Sequence, residues 1–402
     1  MPGRTLTIAR TATQRASLPW TESESMDTNK TSQVWVLQIC HGYDGPFLDC
    51  ARQYGVLFAN TPYKVLTVYL TGEYSAEVER GSASDEVVFL GYSSRALRGL
   101  KLGAVRAIRR IAAERNFALC IAHRSKPAYV ALLGTKLPVV GIHHAFGDYE
   151  RRSRQLFANL FRKRLYLFGV SDAVRDDLRA CLPSWPLQRI QTLYNRIDLQ
   201  AVEAEQLSRS CAREALGLPE GAWVIGNVGR LHPDKDQATL IRAFADALPT
   251  LPGNSLLVIA GKGRLEAELK ALVETLGITQ QVRFLGQVPH ARRYFTAFDA
   301  FALSSDHEPF GMVLLEAMAA GLPVVCSDCG GGREVVGEKG QLFAFGDWHA
   351  LSDSLQKVAS VSQGELDHLR EDMRKRLQSR FVDSAVAPCF FSALSAWPAC
   401  RL

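Results

Sequence analysis

The sequence predicts an α/β protein made of two tandem Rossmann-like, doubly wound domains that face each other across a cleft. Three observations predict it. Short runs rich in β-branched and aromatic residues alternate with stretches of helical periodicity. That alternating series runs to completion and then starts again. The chain has 402 residues, too many for one ordinary domain and about right for two.

In the first series, 34–40, 64–72, 86–92, 118–123, 138–143 and 166–171 read as strands, and 98–115 and 153–164 as helices. In the second, strands are expected at 223–229, 255–260, 282–285, 300–304, 323–327 and 341–345. Helices are expected there at 235–248, 265–276, 310–320 and 348–359. Such alternation argues for parallel sheets covered on both faces. The link falls near 195–205, where strand character gives way to a polar stretch. The expected division is an extension at 1–26, a first domain at 27–199, a second at 200–380 and a tail at 381–402. The helical stretch 363–380 and the aromatic tail have no strand after them, so they must pack on something already built. Open parallel sheets bind ligands beyond the carboxyl ends of their strands. Two of them face to face would suit a two-substrate transfer.

Hydrophobic residues make up 47% of the chain and charged residues 22%, the balance of a globular domain protein. No apolar run reaches the roughly 18 residues that span a bilayer. The nine cysteines show no pairing pattern, and Cys326 and Cys329 form a lone CxxC, so neither a disulfide framework nor a zinc site is expected. The first 25 residues, rich in Ser, Thr and Arg, lack the apolar core of a secretory signal, and Met26 is a second candidate start. The net charge of +6 is uneven, with +9 over 27–199 and −4 over 200–402. A basic half can meet an anionic surface or a phosphorylated acceptor. Two clusters carry much of it, one over Arg95–Arg115 with interleaved leucines and one over Arg151–Arg164.

The segment from Ser304 to Val325 is the most informative. A buried strand ends in Ser304-Ser305-Asp306, and Pro309 suits a first helical turn. Glu308 then stands at the helix entrance and Glu316 about two turns in. The amides of Phe310, Gly311 and Met312 would point back to the strand ends, where an anion or a sugar hydroxyl binds. Earlier, Gly226-Asn227-Val228-Gly229 leads into two cations, Arg230 and Lys235. A diphosphate leaving group needs such charge as its bond to a sugar breaks.

Other loops fit the same cleft. His41-Gly42-Tyr43-Asp44-Gly45 follows the first strand, and Asp328–Glu334 follows a late one. Gly261-Lys262-Gly263 begins like a dinucleotide fingerprint, but Glu266 occupies its third glycine position. Ile142-His143-His144-Ala145 ends a first-domain strand, and alternation along a strand lets at most one of the two histidines enter the cleft.

The run Glu308–Glu316, followed by Ala-Met-Ala-Ala-Gly-Leu-Pro-Val-Val, resembles the signature of the retaining glycosyltransferases of the GT-B fold, the group-1 clan that includes glycogen synthases. Gly229-Arg230 with Lys235, 259–263 and 284–286 match that clan in the same order. Gly169-Val170-Ser171-Asp172 and 194–198 also fit, with Arg196 where glycine is commoner, and the first loop departs by lacking a Gly-Gly pair. The likeness covers nearly all of 34–380. It implies a catalytic set of Glu308, Arg230, Lys235 and one of His143 or His144. It implies donor binding by Gly229, Phe310, Gly311, Met312, Glu316, Gly261 and Val288, with Glu316 on the ribose. Gly42, Asp44 and Gly45 would form the acceptor-side loop. No metal and no cofactor are implied, since Arg and Lys do a divalent ion's work.

The expected reaction is transfer of a hexose-type sugar from a nucleotide diphosphate sugar, UDP-linked, to a cell-surface glycan or glycolipid resembling the lipopolysaccharide core. The rivals are a nucleotide-sugar epimerase, for which Asp44 and Asp148 would be the candidate carboxylates, and a non-catalytic binding protein. The expected partners are the donor, the acceptor and an anionic membrane surface, with no nucleic acid. The expected location is cytoplasmic, peripheral on the inner membrane face.

Overall fold

The computed structural model describes residues 33–400, so the expected extension at 1–26 and its alternative start lie outside the described residues. From the first described strand the order is β1 (Val34–Cys40), α1 (Phe47–Gly55), β2 (Lys64–Tyr69), α2 (Ala76–Gly81) and β3 (Glu86–Phe89). Then come α3 (Leu102–Glu114), β4 (Asn116–His123), α4 (Ser125–Gly134), β5 (Val139–His143) and α5 (Arg152–Leu160). The first sheet ends with β6 (Leu165–Gly169), α6 (Asp172–Cys181) and β7 (Ile190–Thr192). Two helices follow, α7 (Leu199–Glu205) and α8 (Arg209–Leu216). The second sheet runs β8 (Trp223–Val228), α9 (Gln237–Ala247), β9 (Ser255–Ala260), α10 (Glu266–Thr275), β10 (Val282–Gly286) and β11 (Ala300–Leu303). It continues with α11 (Met312–Ala319), β12 (Val324–Ser327), α12 (Gly330–Val336), β13 (Gln341–Phe343) and α13 (Trp348–Ala359). The chain closes with α14 (Gln363–Arg380) and α15 (Asp383–Ser395).

The first sheet has strand order β3-β2-β1-β4-β5-β6-β7 and the second β10-β9-β8-β11-β12-β13. Strand pairs register in parallel, Leu37 with Leu66 and His143 with Gly169 in the first sheet, Ile225 with Leu257 in the second. Both faces of a parallel sheet are covered, so whole strands are buried; β6 (Leu-Tyr-Leu-Phe-Gly) and β9 (Ser-Leu-Leu-Val-Ile-Ala) bury every residue. In the second sheet Leu240 and Phe244 of α9 and Leu351 and Leu355 of α13 pack on Ile225, Leu257 and Ile259. By compactness one unit holds residues up to Ile121 with Tyr129–Leu137, and the other holds Ala122–Ala128 and everything from Pro138.

Several expected boundaries move, each for a local reason. The strands expected at 64–72 and 86–92 end at Tyr69 and Phe89, because Gly72 and Gly91 turn the chain with positive φ. The helix expected from residue 98 begins at Leu102, since Gly99 and Lys101 both sit in the left-handed region. Arg95, Arg98 and Lys101 therefore precede the helix rather than lie in it. The polar link at 195–205 is not open loop: Ile197 bridges Val382 and α7 follows, capped by Asp198. The tail packs through Phe390 against Phe168 (6.0 Å) and Trp397 against Tyr166 (5.5 Å), both on β6.

Candidate active site

In the second sheet the strand order reverses direction at β8 and β11, so their carboxyl ends open the crevice where doubly wound sheets take ligands. The loops leaving these two strands are stitched together there. Asp306 N–H donates to Asp234 O (3.1 Å), and the Ser304 hydroxyl donates to Asp236 O (2.8 Å). Asp236, in the left-handed conformation, also accepts from Thr239 N–H and caps α9.

Lys235 and Glu308, 73 residues apart in sequence, meet in this crevice with Nζ 2.6 Å from Oε2. The Ser305 hydroxyl donates to the same oxygen at 3.2 Å. Oε1 has no hydrogen-bond partner among the described residues and remains an open acceptor. Arg230 leans outward, its side chain 71% exposed and held only loosely by Asp234 at 3.3 Å. One cation thus orients a buried carboxylate while the other is presented to whatever binds.

The helix entrance differs from expectation. Gly311 has φ +94 and serves as N-cap, so α11 starts at Met312. Pro309 and Phe310 lie in the turn before it rather than in its first turn. Glu316 is then about one turn in, half-buried, not two. Phe310 is buried against Phe381 (5.8 Å) and Tyr194 (6.1 Å), so its ring anchors the loop. The glycines of α12 back this turn. A side chain at Gly330 or Gly331 would collide with Glu308 O or Pro309 O, and Gly331 N–H donates to Glu308 O at 2.7 Å. Glu334, one turn further along α12, accepts from the first amides of α6, Asp172 N–H (2.7 Å) and Ala173 N–H (2.8 Å). The sequence displays Glu334 but gives no sign of a partner 162 residues away.

The glycines of the next loop have a steric reason. A Cβ at Gly261 would strike Gly229 O, and one at Gly263 would strike Leu231 O. Gly229 itself has open space, with Lys235 Cγ 3.9 Å from where its Cβ would stand, so the close approach belongs to Gly261. Val288 lies half-buried in the loop after β10. In the other unit, Gly42, Asp44 and Gly45 form the loop after β1; a Cβ on Gly42 would crowd Thr71 Oγ1 at 2.6 Å, and Asp44 is exposed.

The histidines divide sharply. His143 is fully buried and its Nδ1 lies 2.7 Å from Asp148 Oδ2, while its Nε2 has no hydrogen-bond partner among the described residues. His144 is half-buried and stacks on His123 at 5.3 Å, with its Nε2 3.0 Å from His123 Nδ1. Burial, with the neighbouring His143, pushes His123 down to about 3, and burial lowers His144 as well, so both rings are neutral at physiological pH. Burial alone would raise Asp148, but His143, Arg124 and Arg154 hold it at about 2. His123 and Asp148 are the site residues that sequence reasoning did not pair with these histidines. Through Phe146, whose ring meets His307 edge-on at 6.1 Å, this loop reaches the loop of Glu308.

Comparison with known proteins agrees with this layout. The family model described as "Glycosyl transferases group 1" matches residues 208–380, and "Glycosyltransferase Family 4" matches 59–201. N-acetyl-alpha-D-glucosaminyl L-malate synthase of Bacillus anthracis is 26% identical over 71% of this chain and 77% of its own length. The lipopolysaccharide core biosynthesis glycosyltransferase LpsE of Rhizobium meliloti is 32% identical over 46% of this chain and 54% of its own, so the chain spans about half of that relative. The crystal structure of HepE from Anabaena, in complex with UDP and glucose, superposes with TM-score 0.72 at 21% identity, covering 91% of this chain and all of that one. With two parallel sheets in Rossmann-like order and the two family models in tandem, the chain belongs to the group-1 glycosyltransferases of the GT-B fold.

Proposed function

We propose that the chain is a retaining, metal-independent hexosyltransferase that takes its sugar from a UDP-sugar and gives it to a cell-surface glycan of the lipopolysaccharide-core class. The observation that carries the reading is the joining of Lys235 to Glu308 at the β8/β11 crevice, with Arg230 exposed beside them. A nucleoside diphosphate sugar brings two phosphates and a ring of hydroxyls. Arg230 and Lys235 supply charge-assisted donors for the phosphates, the work a divalent ion would otherwise do. The open Oε1 of Glu308 accepts from a sugar hydroxyl, and Glu316 from the ribose.

In the step proposed, the bond from the anomeric carbon to the phosphate oxygen breaks as the bond to the acceptor oxygen forms on the same face. The departing phosphate takes the acceptor proton, so no separate protein base is required. Arg230 and Lys235 stabilise the charge that grows on the phosphate. The UDP and glucose bound to HepE and the name of LpsE support the donor and acceptor classes.

The epimerase reading needs a first-domain carboxylate base, for which Asp44, exposed in the loop after β1, and Asp148 are the candidates. Asp148, held at about 2 by His143 and its arginine neighbours, is a weak base and already engaged. A labelled UDP-hexose tests the choice. Transfer predicts nucleotide release that rises when truncated lipopolysaccharide is added, with the new linkage retaining the donor anomer. Conversion of the UDP-hexose to its epimer, or an inverted linkage, overturns the reading.

A further inference from the structure

The helix α5 carries its leucines on the outside. Its only buried residue is Ala158, while Leu156 and Leu160 are 70% and 77% exposed. They stand four residues apart, hence on one row of the helix surface. The same row begins at Arg152. Leu187 is 61% exposed, and Arg189, two residues on, donates to Arg162 O at 2.9 Å just past the end of this helix. No Asp or Glu occurs between Glu150 and Asp172, whereas six cations do. Of these, Arg151, Arg152, Arg162 and Lys163 are exposed and have no ion-pair partner among the described residues.

We propose that this face of α5, with Leu187, is a docking surface for an anionic lipid bilayer. Exposed apolar side chains ringed by unpaired cations match a bilayer interface: the leucines enter the acyl boundary and the cations meet the headgroups. A second copy of the chain fits poorly, because a two-fold contact would set the same cations against one another without carboxylates between them. The sugar-transfer chemistry is not involved, so the two proposals stand or fall separately.

The full chain would be sedimented with vesicles of phosphatidylcholine alone and of phosphatidylcholine with phosphatidylglycerol, at low and high salt. Binding is expected only to the anionic vesicles and is expected to weaken as salt rises. Leu156→Glu with Leu160→Glu should lower the bound fraction on the order of tenfold or more. Replacing Arg151, Arg152, Arg162 and Lys163 by Gln should abolish the salt-sensitive part. Because these side chains are exposed, both variants should keep the wild-type melting temperature and nucleotide binding. Equal partitioning into both lipids, salt-insensitive binding, or an undiminished leucine variant overturns the proposal. So does a mass in solution that falls from dimer to monomer in that variant while vesicle binding stays the same.

Discussion

Two places in the same unit gather charged and titratable side chains at strand ends, and they use them in opposite ways. At β8 and β11, Lys235 and Glu308 meet near the surface of a crevice, with one carboxylate oxygen open and Arg230 extended into solvent. At the end of β5, His143 and Asp148 close on each other in the interior, with the His143 ring fully buried. The first arrangement is an unfinished set of interactions that a ligand completes. The second is closed through Nδ1 and Asp148, and leaves only the buried His143 Nε2 without a partner among the described residues. Exposure of the open partner, more than the presence of charge, distinguishes the two places.

The widest gap between the two places is expected in turnover. Lys235→Ala and Arg230→Ala should each lower it by roughly a hundredfold or more, since a lost charge-assisted contact to the leaving group costs about 2.7–4 kcal/mol in the transition state. The two should differ in stability. Arg230 is exposed, so its loss leaves the melting temperature unchanged, whereas Lys235→Ala strands the buried Glu308 carboxylate and lowers it. Near-normal turnover in a folded variant of either kind removes the donor site from this crevice.

A finer test lies inside the crevice. Glu308→Gln should reduce kcat more than donor affinity, because its open oxygen faces the sugar where charge develops. Glu316→Gln should mainly raise the donor KM, because contacts to a ribose change little along the reaction. Steady-state kinetics that show the same pattern for both variants would erase the distinction.

The closed pair should answer in stability instead. The Asp148 carboxyl is held at about 2, below its ordinary 3.8, so its ionised form stabilises the fold above that ordinary value. The contribution is lost as pH falls toward 2. Asp148→Asn should cost about 2 kcal/mol at neutral pH, with the gap to wild type closing in acid. Denaturant unfolding across that range measures it, and a gap that persists unchanged at low pH contradicts the His143–Asp148 account.

Much of this was legible in advance, and the part that was not has a physical cause. Alternating apolar runs and helical stretches announce two parallel sheets because fully buried strands leave a strong local signal. Gly229, Arg230, Lys235 and Glu308 stand out for the same reason, each lying just past such a strand. The Lys235–Glu308 contact itself depends on β8 and β11 being neighbours across the point where strand order reverses, which no local window contains. The helix start slipped from Phe310 to Met312 because Pro309 and Gly311 both signal a boundary, and only backbone geometry tells which governs. The basic stretches over α3 and α5 read alike as sequence. Both leave leucines exposed, Leu100 and Leu102 around the start of α3 and Leu156 and Leu160 on α5. Yet α3 also buries Ala104, Val105 and Ile108 and its flanking Arg115 pairs with Glu86 at 2.6 Å, whereas α5 buries only Ala158.

The smallest effect is expected of Glu334→Gln, at a position between the two extremes. Its carboxylate fills the first amides of α6, a partnership strengthened by the helix dipole. Burial nevertheless raises its pKa, outweighing the amides of Asp172 and Ala173. A raised carboxyl pKa means the protonated form is favoured in the fold, so stability is fullest below the ordinary value and declines as pH rises through the raised one. Glu334→Gln keeps an acceptor for one amide and removes the buried charge, so near neutral pH it should change stability by less than about 1 kcal/mol. Glu334→Ala leaves both amides without an acceptor and should cost about 1–3 kcal/mol. The Gln variant should also lack the wild type's decline with rising pH. Equal losses in the two variants would mean that the ion's charge, rather than its acceptor oxygens, secures α12 to α6, and with it the turn that presents Glu308.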